Sequence, residues 1–208
     1  MKSERVKRRI PSARSLFAFI ILTVLPVTAF AVTTSSEIGS SLFTSTISFP
    51  AARRAYVVAH MTVPADVERV WSVLTDYDNL ADYMPHLDKS EVIQRRPDRV
   101  TLRQEGSVWF PMKKLKSSAT MEVRESPPQQ ISFKATAGDY AVYEGHWRLQ
   151  PRPEGTDLIY EAVIEPHFWV PQCVLGALEK KILKGTFEAV LEQTSGPKKI
   201  RVAKTPKP

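Results

Sequence analysis

The feature that most constrains this 208-residue chain is a series of short alternating segments followed by one long amphipathic one. Six candidate strands succeed each other at 89–96, 100–110, 117–125, 131–137, 140–150 and 156–165. Turn signals separate them: Pro97-Asp98, Pro111-Met112, Pro127-Pro128, Gly138-Asp139 and Pro151 to Gly155. Ala119, Met121 and Val123 alternate with Ser118, Thr120 and Glu122, and Ile131, Phe133 and Ala135 alternate with Ser132 and Lys134. Leu158, Tyr160, Ala162 and Ile164 oppose Glu161 and Glu165 in the same way. A period of two with one apolar face describes an antiparallel sheet buried on one side. The segment 171–194 has the helical period instead, with Leu175, Leu178, Ile182, Leu183, Phe187 and Val190 on a wide arc and Lys180, Lys181 and Lys184 on the rest. It needs an apolar surface to lie on, and the sheet supplies the only one.

An earlier strand, 54–63, ends at Pro64. Two short helices follow it, one marked by Val67, Val70, Trp71 and Leu74 and one near residues 79–83. The expected architecture is therefore α+β. About seven antiparallel strands curve around a long C-terminal helix, with two short helices after the first strand.

The ends differ from this body. Residues 1–15 are basic and residues 16–31, LFAFIILTVLPVTAFA, are apolar and finish in Ala29-Phe30-Ala31. That is the pattern of a secretory signal peptide, with cleavage expected after Ala31 and export to the periplasm or beyond the cell. The alternative is an uncleaved membrane anchor, against which stand the shortness of the apolar run and Pro26 within it. Residues 32–52 are rich in Ser and Thr and read as a loose leader to a domain spanning 53–195. Residues 196–208 carry five basic residues and no acid, a solvated tail able to touch anionic headgroups. Residues 1–31 hold a net +5 and the tail another +5, so of the whole-chain +7 the body retains −3. The basic balance thus gives no reason to expect a nucleic-acid partner. The single cysteine, Cys173, excludes an intrachain disulfide framework.

The body resembles a known family. Val63-Pro64-Ala65, Val70-Trp71, Leu74-Thr75-Asp76-Tyr77, Tyr83-Met84-Pro85 and Ser90 are similar to the opening of the coenzyme Q-binding START-like proteins. Those proteins form the polyketide cyclase/dehydrase branch of the helix-grip superfamily. Glu144 to Leu149, Gly155-Thr156 and Leu158 to Glu161 resemble its later strands. The resemblance covers about residues 54–194 and implies an apolar cavity between the sheet and the long helix, open at one end. It brings no shared catalytic motif, because the superfamily spans carriers and enzymes.

The residues add their own candidates. No nucleotide-binding loop, HExxH, CxxC or GxSxG pattern occurs, and no catalytic residue, cofactor or metal is assigned. Glu179 falls inside the apolar arc of the last helix, where burial raises a carboxyl pKa and lets it act as acid, base or hydrogen-bond partner. Tyr143 and Tyr160 lie on the inward alternation and carry hydroxyls that need partners. With Gln104, Phe110, Met121, Phe133, Trp147, Leu178 and Ile182 they form the expected ligand-binding set. His86 reads as a solvated loop residue near the mouth, and His167 to Pro171 as a rim touching membrane or partner or as a closure of the core. The expected function is binding or carriage of a hydrophobic small molecule, a lipid or isoprenoid quinone. The alternative is a cyclase or dehydratase acting in the same cavity.

Overall fold

In the computed structural model, residues 31–38, 41–51, 53–110 and 113–196 are described. They form one antiparallel sheet of nine strands and a long helix. In chain order these are β1 (Ala31–Ile38), β2 (Ser41–Ala51), β3 (Arg54–Val63), α1 (Val67–Leu74), a 3-10 helix (Tyr77–Asp82), β4 (Leu87–Arg95), β5 (Val100–Phe110), β6 (Lys113–Ser126), β7 (Gln130–Gly138), β8 (Tyr140–Arg152), β9 (Gly155–Pro166) and α2 (Gln172–Ser195). The spatial order is β1-β2-β3-β9-β8-β7-β6-β5-β4. The chain builds one edge with β1 to β3, crosses to the other edge through α1, and returns strand by strand until β9 pairs with β3. This is the expected helix-grip architecture.

The difference lies at the N-terminus. The Ser/Thr-rich stretch read as a leader forms β1 and β2, so the sheet has nine strands rather than seven. The physical reason is visible in β2. Phe43, Ile47 and Phe49 alternate with half-buried Thr44, Thr46 and Ser48, and all three apolar side chains are buried. Thr favours strands, and period-two burial outweighs a polar average. The Phe43 ring sits 5.0 Å from Phe187 of α2, so the hairpin closes one flank of the core. The proposed signal peptide lies outside the described residues up to Ala31, where β1 begins, and so does the basic tail beyond Gly196.

Helix α1 follows Asp66, whose carbonyl accepts the first helical bond from the Val70 N–H at 3.1 Å, and stops where Thr75 Oγ1 donates to the Trp71 carbonyl at 2.9 Å. Its stripe buries Val67, Val70 and Leu74 as the period requires, plus Val73, while Trp71 is half-buried against the core. Irregularities in the ladders occur at Leu87/Lys89 and Val92/Gln94, at Thr120/Met121 and at Tyr140/Val142. Such bulges bend the bulged strand and strengthen its twist, which helps the sheet curve around α2. Among the described residues no helix is long and apolar enough to cross a membrane.

Candidate functional site

A cavity of about 230 Å³ lies between α2 and the concave face of the sheet. Its walls come from four places. The middle of α2 contributes Glu179, Ile182, Leu183 and Thr186, and β8 and β9 contribute Tyr140, Tyr143, Trp147, Tyr160 and Ile164. Strands β5 and β6 add Gln104, Gly106 and Ser117 to Ala119, and the α1 to β4 connection adds Leu80 and Met84 to Leu87.

Among the described residues, Glu179 is the one carboxylate in this lining. The sequence placed it within the apolar arc, and the structure keeps it there. Burial pushes its pKa up to about 7, because the charged form loses its hydration. Three phenols surround it electrostatically: Tyr140, Tyr143 and Tyr160 all feel its charge. Burial raises the pKa of each of them above the ordinary phenol value. The Tyr143 and Tyr160 hydroxyls interact with each other, and the Tyr140 hydroxyl with Ser117. At neutral pH the cavity therefore presents neutral O–H donors beside a carboxyl close to its own titration point. An apolar chamber of this kind can polarise a ligand carbonyl, hold a hydroxyl, or exchange a proton through Glu179.

An aromatic series holds these groups in place. Tyr140 lies 5.0 Å from Tyr143, and Phe133 packs edge-on to Tyr143 at 5.2 Å and stacks on Tyr160 at 5.9 Å. Trp147 lies 4.6 Å from Tyr160 and 5.5 Å from Phe187. Phe133 thus supports the tyrosines without lining the cavity.

Tyr143, Tyr160, Trp147, Gln104, Glu179 and Ile182 all line the chamber. Phe133, Met121 and Leu178 are buried without lining it, a correction to the expected set. Alternation and helical period report burial but cannot tell core from cavity wall. The side chain of Phe110 lies outside the described residues. Gln104 donates from Nε2 to Ser90 Oγ at 3.2 Å, which ties the wall to β4.

One lining residue escaped the sequence for a definite reason, and another, placed near the mouth, is less solvated than expected. Tyr140 shares the cavity with Tyr143, although strict alternation would put positions three apart on opposite faces. The irregularity between Tyr140 and Val142 inserts the extra step that turns Tyr140 inward. His86 is half-buried on the cavity lip instead of solvated, with a positive φ of 67°. Burial, then the nearby Lys181, lowers its pKa. Its carbonyl accepts from Ser107 N–H at 2.9 Å, beside Gly106, where an added Cβ would stand 2.7 Å from that oxygen. The lip is therefore locked to β5 by a backbone approach that only glycine permits.

A second recess of about 440 Å³ faces another flank of α2, between Val32, Ile47 and Phe49 of the hairpin and Gly176 and Ala177 of the helix. It is larger, its exposed lining is mostly apolar, and its polar residues, Thr34, Ser45, Gln172 and Lys180, include no carboxylate or phenol. Among the described residues no cluster of three or more His, Cys, Asp or Glu gathers as a metal site would.

Comparison with known proteins places the chain. The model of the polyketide cyclase / dehydrase and lipid transport family matches residues 63–191. The chain belongs to this family. Solved structures of the same fold include the STAR-related lipid transfer protein of Xanthomonas axonopodis, with TM-score 0.63 and 15% identity over 80% of this chain and 99% of that one. The Zhui aromatase/cyclase of Streptomyces is similar at TM-score 0.61 and 18% identity, over 72% and 98% of the two chains. A Thermus thermophilus protein shares 25% identity at TM-score 0.55, over 67% of this chain and 93% of its own. No curated protein matches. The fold is thus common to lipid-transfer and cyclase proteins, and the family supports binding of a hydrophobic small molecule.

Proposed function

We propose that this protein is a non-enzymatic binding or carrier protein for a hydrophobic small molecule carrying an oxygen function, such as a lipid or an isoprenoid quinone. Export by the N-terminal segment forms part of the proposal. The observation that carries it is the cavity itself: a largely apolar chamber in which Glu179 of α2 faces three tyrosines of β8 and β9, with Gln104 and Ser117 among its further polar groups. Its volume lies below the roughly 300–1,000 Å³ of ordinary ligand pockets, so a ring or short chain fits inside and a longer tail projects through the mouth. Burying about 300 Å² of apolar ligand surface supplies roughly 7 kcal/mol before the costs of binding. The phenols and the carboxyl then set orientation.

The alternative, a cyclase or dehydratase, draws support from one observation. Glu179 holds a pKa of about 7 beside phenolic donors, which suits proton transfer on a carbonyl substrate.

The test is to purify the full chain without detergent, extract it with organic solvent and analyse the extract by mass spectrometry. A stoichiometric lipid or quinone that Glu179→Gln also retains is the result expected of a carrier. An extract that stays empty in wild type but fills in Glu179→Gln points to a trapped substrate and favours the enzyme. Empty extracts from both proteins overturn the carrier reading.

A further inference from the structure

Three of the most exposed apolar side chains of the described residues are aromatic and belong to segments joined to the cavity lining. Trp169 is 72% exposed, Trp109 61% and Phe168 52%. Phe168 and Trp169 belong to the β9–α2 connection, where His167 N–H donates to the Asp139 carbonyl at 2.9 Å. Asp139 in turn accepts from the Ser118 N–H and hydroxyl, at 2.6 and 3.0 Å, and Ser118 lines the cavity. Trp109 lies three residues beyond Gly106 of the lip, and its carbonyl accepts from Lys181 Nζ at 3.4 Å. All three rings are thus carried by segments tied to the cavity wall, at Ser118, Gly106 and α2.

Exposed lysines accompany them. Lys113, Lys114 and Lys116 come from β6, with Lys114 directly across the ladder from Trp109. Lys180, Lys181 and Lys184 come from the outer side of α2. Among the described residues only Lys114 and Lys184 of these six have an acid within 4.0 Å, Asp88 and Glu188. Of the nearby carboxylates, Asp139 is engaged with Ser118 and Glu179 lies inside the cavity, which leaves exposed Glu105 of β5 to set against the lysines. The body as a whole is acidic, so this end is locally of opposite sign to the rest.

We propose that the mouth end docks on an anionic lipid bilayer, with Trp109, Phe168 and Trp169 entering the interface and the surrounding lysines facing the headgroups. Tryptophan favours the depth where its ring is apolar and its N–H stays wet. Lysines reach headgroups while their stems cover apolar surface. The surface surrounds the opening through which an apolar ligand must pass, so contact there spares the ligand a passage through water. The basis for choosing a bilayer over a protein partner is this charge complementarity around interfacial rings.

The test mixes the full chain with phosphatidylcholine vesicles, with and without phosphatidylglycerol, whose acyl chains are brominated to quench tryptophan. Quenching is expected with the anionic vesicles and weakens as salt rises. Trp109→Phe/Trp169→Phe loses it while still sedimenting, since Trp71 and Trp147 sit inside the fold. Lys113→Glu/Lys116→Glu lowers the quenched fraction by roughly tenfold. Sedimentation of the full chain with unquenched Trp109 and Trp169 overturns the proposal, because other segments then make the contact. Indifference to vesicles with capture of a soluble protein overturns it equally. Solvent extraction reads the ligand and vesicle quenching reads the docking, so failure of the ligand reading, on which this one rests, and failure of the docking are separable.

Discussion

The two halves of α2 meet the same sheet and do opposite things. From Phe187 onward the helix is closely packed: Phe187 and Val190 are fully buried, and Phe187 touches both Phe43 of β2 and Trp147 of β8. Between Glu179 and Thr186 the same helix spans a void, holding Glu179, Ile182, Leu183 and Thr186 over the cavity. One stretch closes the fold, and the other is kept from closing it. A protein of this size therefore leaves part of its best apolar surface unsatisfied, which is what a ligand site requires.

Truncation should separate the halves most sharply. Phe187→Ala is expected to cost about 3–5 kcal/mol, since it opens a hole in close packing. Ile182→Ala, which enlarges an existing void, is expected to cost about 1 kcal/mol. Chemical denaturation of both variants checks this, and equal losses would mean that the cavity is filled in solution.

The next effect concerns Glu179. Its pKa is raised in the folded protein from 4.5 to about 7. The folded state thus binds more protons than the unfolded one between those values, and stability falls as pH climbs from about 4.5 to 7. The loss should be on the order of 1–3 kcal/mol. Glu179→Gln should remove that slope, measured as denaturation midpoints across the pH range.

At the lip, Gly106→Ala drives a Cβ against the His86 carbonyl. It should cost about 1–2 kcal/mol and free the His86 loop, read as faster amide exchange at Ser107. Smallest of all is Lys184→Ala on the outer face of α2. Its ion pair with Glu188, at 3.7 Å between exposed side chains, should change stability by less than about 0.5 kcal/mol.

Much of this was legible in residues alone. Alternation in 117–125 and 156–165 placed β6 and β9 within a few residues of their observed bounds, and the helical period located α2 to within one residue at each end. Glu179 stood out because a carboxylate inside an apolar arc is a physical contradiction that only a cavity or a partner resolves. The hairpin β1–β2 was missed because ten Ser and Thr among residues 32–48 outweighed the period-two spacing of Phe43, Ile47 and Phe49. Its burial depends on α2, some 140 residues later, so no local window contains the cause.

The sequence by itself determined the layer architecture, the inward tyrosines Tyr143 and Tyr160, and the misplaced carboxylate. These follow from periodicity, which a strand or helix imposes on its own residues. Only the tertiary structure decided which buried side chains face a void and which face neighbours, as Ile182 and Leu178 show four residues apart on one helix. It also decided that Tyr140 turns inward through an irregularity in the β8–β9 ladder, and that Gly106 lets the His86 loop settle on the cavity lip. Each of those depends on where a second strand or helix stops, a distance set between elements and written in neither.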